Sequence, residues 1–301
     1  MSDAISLPGG LTGRPLVMSD ARAVFEVMAA QEFHDTGEVA IEEADIVADW
    51  QRPSYDVSAG TFGIFDGDQL VAYAEHIGGD RGDAAVHPEH RGRGIGTALA
   101  GWMQARARAA GASVVGMPVP RGSDGDRLLA ALGYHVRWES WVLQLPEGAT
   151  VPERALPEGY TIREATPADY ETCWTVLEDA FLEWSDRERE PFEDFLARTV
   201  KRPGFQPWNL RLVVGGDGAA VGATVIFPYG TEGYVDRLAT RKDQRGKGIA
   251  QAMLVDAFAV AREHGATTSG LNTDSRTGAL GLYEKVGMQV PQTWVNRAIV
   301  L

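Results

Sequence analysis

Apolar positions along the chain change their period in a set order, and the order occurs twice. "TFGIF" and "LVAYAEHI" (61–65 and 70–77) are apolar runs of strand length parted by a turn, and "LRLVV" and "AVGATVIF" (210–214 and 220–227) repeat them. Ahead of each pair lie helical segments, 22–50 and 168–201, entered through Ser19 or Thr166 and the acids that follow, which is a helix-start signature. Behind each pair a further strand runs into a Gly- and Arg-rich loop. "GTALAGWMQARARAAG" and "AQAMLVDAFAVAREHG" then space apolar residues three and four apart, which predicts an amphipathic helix closed by its terminal glycine. A strand, a short helix and a final strand complete each half. The chain reads as mixed α/β.

The halves also align as text. "GLTGRPLVMSDARAVFEVM" (10–28) lies opposite "GYTIREATPADYETCWTVL" (159–177), "GDQLVAYAEHI" opposite "GDGAAVGATVI", and "LGY" (132–134) opposite "VGM" (286–288). Similar text in the same order at nearly constant spacing argues for one fold duplicated in tandem. A length of 301 residues suits two domains of about 150 each. The boundary is expected in the Pro-, Gly- and Glu-rich stretch 145–159, giving a domain over 1–147, a linker over 148–158 and a domain over 159–301.

Composition narrows the class of function. With 44% hydrophobic and 23% charged residues this is an ordinary globular composition, and no apolar run approaches the ~18 residues of a membrane span. "MSDAISLPGG" lacks the basic-then-apolar order of a secretion signal, so a cytoplasmic location is expected. Cys173 is the single cysteine, which excludes an internal disulfide and a multi-cysteine metal cluster; beside Trp174 it reads as a packed apolar residue. The six histidines show no H-x-x-x-H spacing, and His87 and His90 belong to the approach to a loop, so no metal is expected. Net charge is −14: residues 1–150 hold 11 arginines against 21 acids, and residues 151–301 hold 17 basic residues against 21 acids. That balance argues against binding a nucleic-acid backbone and leaves attraction of an amine-bearing substrate open.

The two loops carry the chemistry. "HPEHRGRGIG" (87–96) and "RKDQRGKGIA" (241–250) align at an offset of 154 and share Arg-x-x-Gly-x-(Gly or Ala). A Walker loop needs Ser or Thr directly after Gly-Lys, but Gly248 follows Lys247. A dinucleotide loop needs G-x-G-x-x-G, and neither copy has it. Small residues at a helix start let backbone N–H groups approach a phosphate, and the helix dipole favours an anion there. Both loops therefore read as pyrophosphate cradles.

The loop pattern, "YVDRLATRKDQRGKGIAQAMLVDAF" as strand, loop and helix, and "LNTDSRTGALGLYEKVGM" (271–288) together resemble the GNAT acetyltransferase superfamily, in the tandem layout of its two-domain actinobacterial members. The resemblance covers nearly all of both halves. It implies two GNAT-like domains, each a mixed, mainly antiparallel sheet flanked by helices, and acetyl-CoA as cosubstrate. It further implies that Arg245, Gly246, Lys247, Gly248, Ile249 and Ala250 hold the coenzyme's pyrophosphate. Leu238, Ala239 and Thr240 would run beside the pantetheine arm, Asn272 would contact it, and Tyr283 would be the proton donor to the leaving sulfur. In the first half, Arg91, Gly92, Arg93, Gly94, Ile95 and Gly96 keep the cradle. However, the positions of Tyr283 and Asn272 are taken by Leu129, which has no proton to give, and Pro118, which has no N–H.

The expectation is an N-acetyltransferase acting by direct transfer to a primary amine of a small molecule, with chemistry in the C-terminal domain and a degenerate N-terminal one. Acceptors of three kinds fit: a cysteinyl sugar thiol precursor, an aminoglycoside-like antibiotic or a polyamine. The rival from another class is a non-catalytic acyl-CoA-binding or regulatory protein. Strand alternation would put Glu232, Tyr234 and Asp236 on one face, making Asp236 or Glu232 the candidate base, against an ion pair with an arginine. "EDAFLEWSDREREPFEDF" (178–195) offers acids and aromatics either to an ammonium or to a solvated helix face. The chain is expected to be a monomer or homodimer.

Overall fold

The computed structural model describes residue 7 and residues 9–301; the N-terminal residues on which the reading of a missing secretion signal rests lie largely outside the described residues. The first half runs β1 (Leu11–Arg14), α1 (Ala21–Thr36), α2 (Glu43–Trp50), α3 (Val57–Gly60), β2 (Thr61–Asp66), β3 (Gln69–Gly78), β4 (Arg81–Val86), α4 (Ile95–Ala109), β5 (Val114–Pro120), α5 (Asp124–Ala131) and β6 (His135–Leu145). The second half repeats the order as β7 (Thr161–Glu164), α6 (Tyr170–Phe181), α7 (Phe192–Arg198), β8 (Leu210–Val214), β9 (Ala220–Tyr229), β10 (Glu232–Thr240), α8 (Ile249–Glu263), β11 (Thr268–Asp274), α9 (Leu280–Lys285) and β12 (Gln289–Val300).

Two compact units result: residues up to Glu139 together with Thr293–Leu301, and Ser140–Gln292. The last strand of each half has changed places. In the first unit the sheet order is β1-β2-β3-β4-β5-β12, because β12 pairs antiparallel with β5 from Trp294 opposite Pro120 to Val300 opposite Val114. In the second it is β6-β11-β10-β9-β8-β7, with β6 antiparallel to β11 from Leu145 opposite Ser269 to Ser140 opposite Asp274. Each sheet is antiparallel except for one parallel pair, β4 with β5 and β10 with β11. Apolar side chains follow the exchange. Val295 lies in the first unit's core with Ile64, Leu99 and Met103, and Leu143 and Leu145 lie in the second unit's core with Leu254 and Phe258.

Helix starts are alike in the two halves: the Val17 N–H donates to the Asp20 carboxylate at 2.9 Å and the Thr166 N–H to the Asp169 carboxylate at 2.8 Å, where the Thr166 hydroxyl also donates at 2.7 Å. Ser19 stands inside the first turn and does not cap. The expected helical stretch 168–201 is broken between Phe181 and Phe192. Its acids are tied down by arginines: Arg187 donates to both oxygens of the buried Glu178, at 2.7 and 2.8 Å, and Pro191 then opens α7.

Candidate active site

Each Gly/Arg loop delivers the chain to a helix through a glycine with positive φ, Gly94 at 84° before α4 and Gly248 at 81° before α8. A side chain at either position would be strained, which is the physical reason for glycine there. The helical ladder begins with the Ala98 N–H on the Gly94 carbonyl and the Ala252 N–H on the Gly248 carbonyl. The N–H groups of Ile95, Gly96 and Thr97, and of Ile249, Ala250 and Gln251, stand outside it. Neither helix has a side-chain N-cap, so both present a bare positive end suited to an anion.

The loop arginines have other work. Arg245 forks onto Glu183 at 2.6 and 3.0 Å and reaches the Thr240 carbonyl at 3.3 Å. Arg91 forks onto the buried Asp35 at 2.7 and 2.8 Å and meets Asp124 at 3.2 Å. Asp35 lies in the last turn of α1 and Glu183 two residues past the end of α6, so in each half the motif arginine ties its loop to the end of the first helix. The sequence reading missed both pairs. Arg93 is likewise engaged, by Asp66 at 3.4 Å and His90 at 2.9 Å. Lys247 meets the Gln244 amide oxygen at 2.7 Å and lies 5.9 Å from the Tyr160 ring centre.

Between β10 and β11 the sheet of the second unit splits. Parallel pairing runs from Glu232 opposite Thr268 to Val235 opposite Leu271 and stops, while β10 continues to Thr240 and β11 to Asp274. A β-bulge causes the parting: against β9, Val235 faces Ile226 and Arg237 faces Val225, so Asp236 is the extra residue. Leu238, Ala239 and Thr240 thus keep one backbone edge on β9 and leave the other unpaired by β11. An extended amide-bearing chain can join such an edge. Asn272, on the far side of the split, is exposed and free of side-chain hydrogen bonds to the described residues.

The bulge falls at one of the candidate acids: exposure alternates from Glu232 to Asp236 and changes step at Arg237. Arg237 takes the inward place, its guanidinium 3.0 Å from Glu190 and over the Phe195 ring at 5.9 Å, and Asp236 is exposed with its carboxylate 3.6 Å from Arg237. Glu232 packs over Gly270 so closely that a Cβ there would collide with its carboxylate. Tyr283, on α9, is buried in one apolar cluster with Val235 and Leu271, against which Leu238 packs. Burial pushes its hydroxyl up to about 12, and among the described residues the hydroxyl has no hydrogen-bond partner. In the first unit Leu129 lies buried in the core and Pro118 sits within β5 opposite Asn296. Burial pushes Cys173 up to about 12, and the thiol is enclosed among Val176, Leu177 and Leu212.

Several acids of 178–195 pair with arginines, Glu183 with Arg245, Glu190 with Arg237 and Arg198, Asp179 with Arg189, and Glu178 with Arg187, while Glu193 pairs with Lys201 and Asp186 and Glu188 are exposed.

This architecture is that of a tandem acetyl-CoA-dependent acetyltransferase. The chain matches the acetyltransferase (GNAT) family over residues 24–140 and 168–288, and it belongs to that family, whose acyl donor is acetyl-CoA. Mycothiol acetyltransferase of Thermobispora bispora is 30% identical over 74% of this chain and 78% of its own. The protein of the same name from Salinispora arenicola is 31% identical over 78% of each. Among solved structures, a GCN5-related N-acetyltransferase from Sphaerobacter thermophilus superposes with a TM-score of 0.74 at 28% identity, over 98% of this chain and 97% of that one. A tandem GNAT protein from the clavulanic acid biosynthesis pathway shares the fold, with a TM-score of 0.73 at 17% identity over 96% and 98% of the two chains. No helix among the described residues is long and apolar enough to cross a membrane.

Proposed function

We propose that the chain transfers the acetyl group of acetyl-CoA to a primary amine of a small molecule by direct attack, and that the chemistry belongs to residues 159–301. The observation that carries this reading is Tyr283: an enclosed phenol, held protonated by burial, in the same cluster as the end of the split between β10 and β11. The first half has Leu129 at that place, so we assign it a degenerate role.

The coenzyme supplies an acetyl group already activated as a thioester. The N–H groups of Ile249 and Ala250 and the end of α8 hold its pyrophosphate, and Leu238 to Thr240 align its arm along their open edge. Tyr283 holds the proton that the departing sulfur needs. Asp236, exposed at the bulge, receives the amine's proton directly or through water, and Glu232, at the start of the same strand, is the alternative base, acting through water. The acceptor to test first is the cysteinyl sugar thiol precursor, because the matched relatives bear the name mycothiol acetyltransferase. Aminoglycosides and polyamines follow.

Tyr283→Phe tests the assignment. Turnover is expected to fall by about 100-fold or more, the scale of a lost general acid, while acetyl-CoA affinity stays within about twofold. Unchanged turnover removes Tyr283 from the mechanism.

A further inference from the structure

We infer that Arg154, carried on the segment between the repeated halves, is a phosphate-binding residue of the acetyl-CoA site in the second unit. The inference rests on the reading of Arg245 to Ala250 as the pyrophosphate cradle. Three anchors hold this segment against α8. Val151 is buried in the core cluster with Leu145 and Leu254. The Gln251 side-chain amide donates to the Pro152 carbonyl at 2.8 Å. Leu156 packs on the cluster of Val213, Ile249 and Met253. Between these anchors Arg154 is laid across Gly248: a Cβ on Gly248 would fall 2.9 Å from Arg154 Cγ and 3.2 Å from Cδ, and would collide with Nε.

Most of the charges around it are already matched, while Lys247 meets only the neutral Gln244 and Tyr160. Arg245 and Lys242 share Glu183, and Arg241 forks onto Asp243 at 2.7 Å. Among the described residues Arg154 makes no hydrogen bond and no ion pair. A guanidinium over the positive end of a helix, beside Lys247 and three N–H groups outside the ladder, is repulsive until an anion lies between them. A pyrophosphate there reverses the sign, accepting from the backbone below and from the planar guanidinium above. Because Nε is the atom over Gly248, at the first turn of α8, the diphosphate rather than the 3′-phosphate of the coenzyme is the group it meets.

Calorimetric titration of the full chain in a Gly94→Glu background, which closes the first unit's loop, tests this. Arg154→Ala is expected to weaken acetyl-CoA binding about tenfold or more, in keeping with loss of a charge-assisted hydrogen bond. Dephospho-CoA, which lacks the 3′-phosphate, should show the same fold-loss, and Arg154→Lys should recover part of it. Affinity within about twofold of the parent for acetyl-CoA overturns the inference, provided Gly248→Glu abolishes binding. A loss seen with acetyl-CoA but absent with dephospho-CoA overturns the choice of the diphosphate. Binding that survives Gly248→Glu unchanged overturns the cradle itself, and this inference with it.

Discussion

At the scale of single residues, Glu75 ties the stability of the first unit to pH. It lies on β3 opposite Asp83 of β4 and accepts from the Trp50 indole N–H at 2.9 Å. Burial pushes its carboxyl up to about 8, with Asp49 and Asp83 adding to the rise against the indole hydrogen bond and Arg52. An unfolded glutamate gives up its proton near pH ~4.3. Between there and about 8 the native state therefore binds more protons than the unfolded state, so stability falls as pH rises and the loss is complete above about 8. Asp83, which burial pushes up to about 6, slopes the same way. Glu75→Gln keeps an oxygen for Trp50 and removes the titration. It should raise Tm by several degrees at about pH 8.5, a gain on the order of 2 kcal/mol, and leave it unchanged at about pH 4.5. Thermal melts at the two pH values decide; an equal shift at both would assign the effect to packing. No feature of the local text around Glu75 marks it as buried, because the strand run "LVAYAEHI" reads as alternation there. By contrast the turn glycines of both loops were legible, since Gly94 and Gly248 hold a positive φ that few other residues can take.

At the scale of elements, the connection between α6 and α7 is secured by charge as well as by the contact of Trp184 with Phe181. Glu190 receives Arg237 at 3.0 Å and Arg198 at 3.1 Å, and its backbone carbonyl accepts the Trp174 indole N–H at 2.9 Å. Burial raises the Glu190 carboxyl, but the two guanidiniums outweigh that and hold it below its ordinary range. Its contribution is therefore present above the ordinary carboxylate range and lost as pH falls through the lowered one. Glu190→Gln leaves the nearly enclosed Arg237 with only the exposed Asp236 carboxylate, 3.6 Å away, as counter-charge and should cost about 2 kcal/mol in urea unfolding at neutral pH. The cost should shrink as pH drops below about 4. A loss under about 0.5 kcal/mol would show the pair to be surface-like. Acids and aromatics over 178–195 carry no sign of which arginine will claim an acid, whether nearby, as Arg187 claims Glu178, or 62 residues away, as Arg245 claims Glu183. The bulge at Asp236 is hidden for the same reason, because one extra residue in a strand looks like any other until its partner strand is known. The two loops escaped this difficulty: the glycine turn into the helix that follows is written locally.

At the scale of the whole molecule, the repeat revealed how many times the fold occurs but not how its last strands are shared out. β6 and β12 have the same apolar rhythm whichever sheet they join, so periodicity cannot choose between them. The consequence appears if the chain is divided in the linker at 148–158. A fragment of residues 1–147 loses Thr293–Leu301, and with it the pairing of Trp294–Val300 on β5, the buried Val295 and Ala298, and the Arg297 contacts with Asp126 and the Tyr134 carbonyl. A fragment of residues 159–301 loses Ser140–Leu145 from β11, and Leu143 and Val151 from its core. Each is left with an unpaired sheet edge and a cavity where large side chains were, losses that together exceed the margin of an ordinary domain. Either fragment alone should therefore aggregate or show weak cooperative unfolding. The pair 1–147 and 148–301 expressed together should copurify and melt cooperatively. The measurement is calorimetry of each fragment and of the pair. A cooperative transition for 1–147 alone, near that of the intact chain, would mean that the exchanged strand is dispensable and that each half folds as an independent domain.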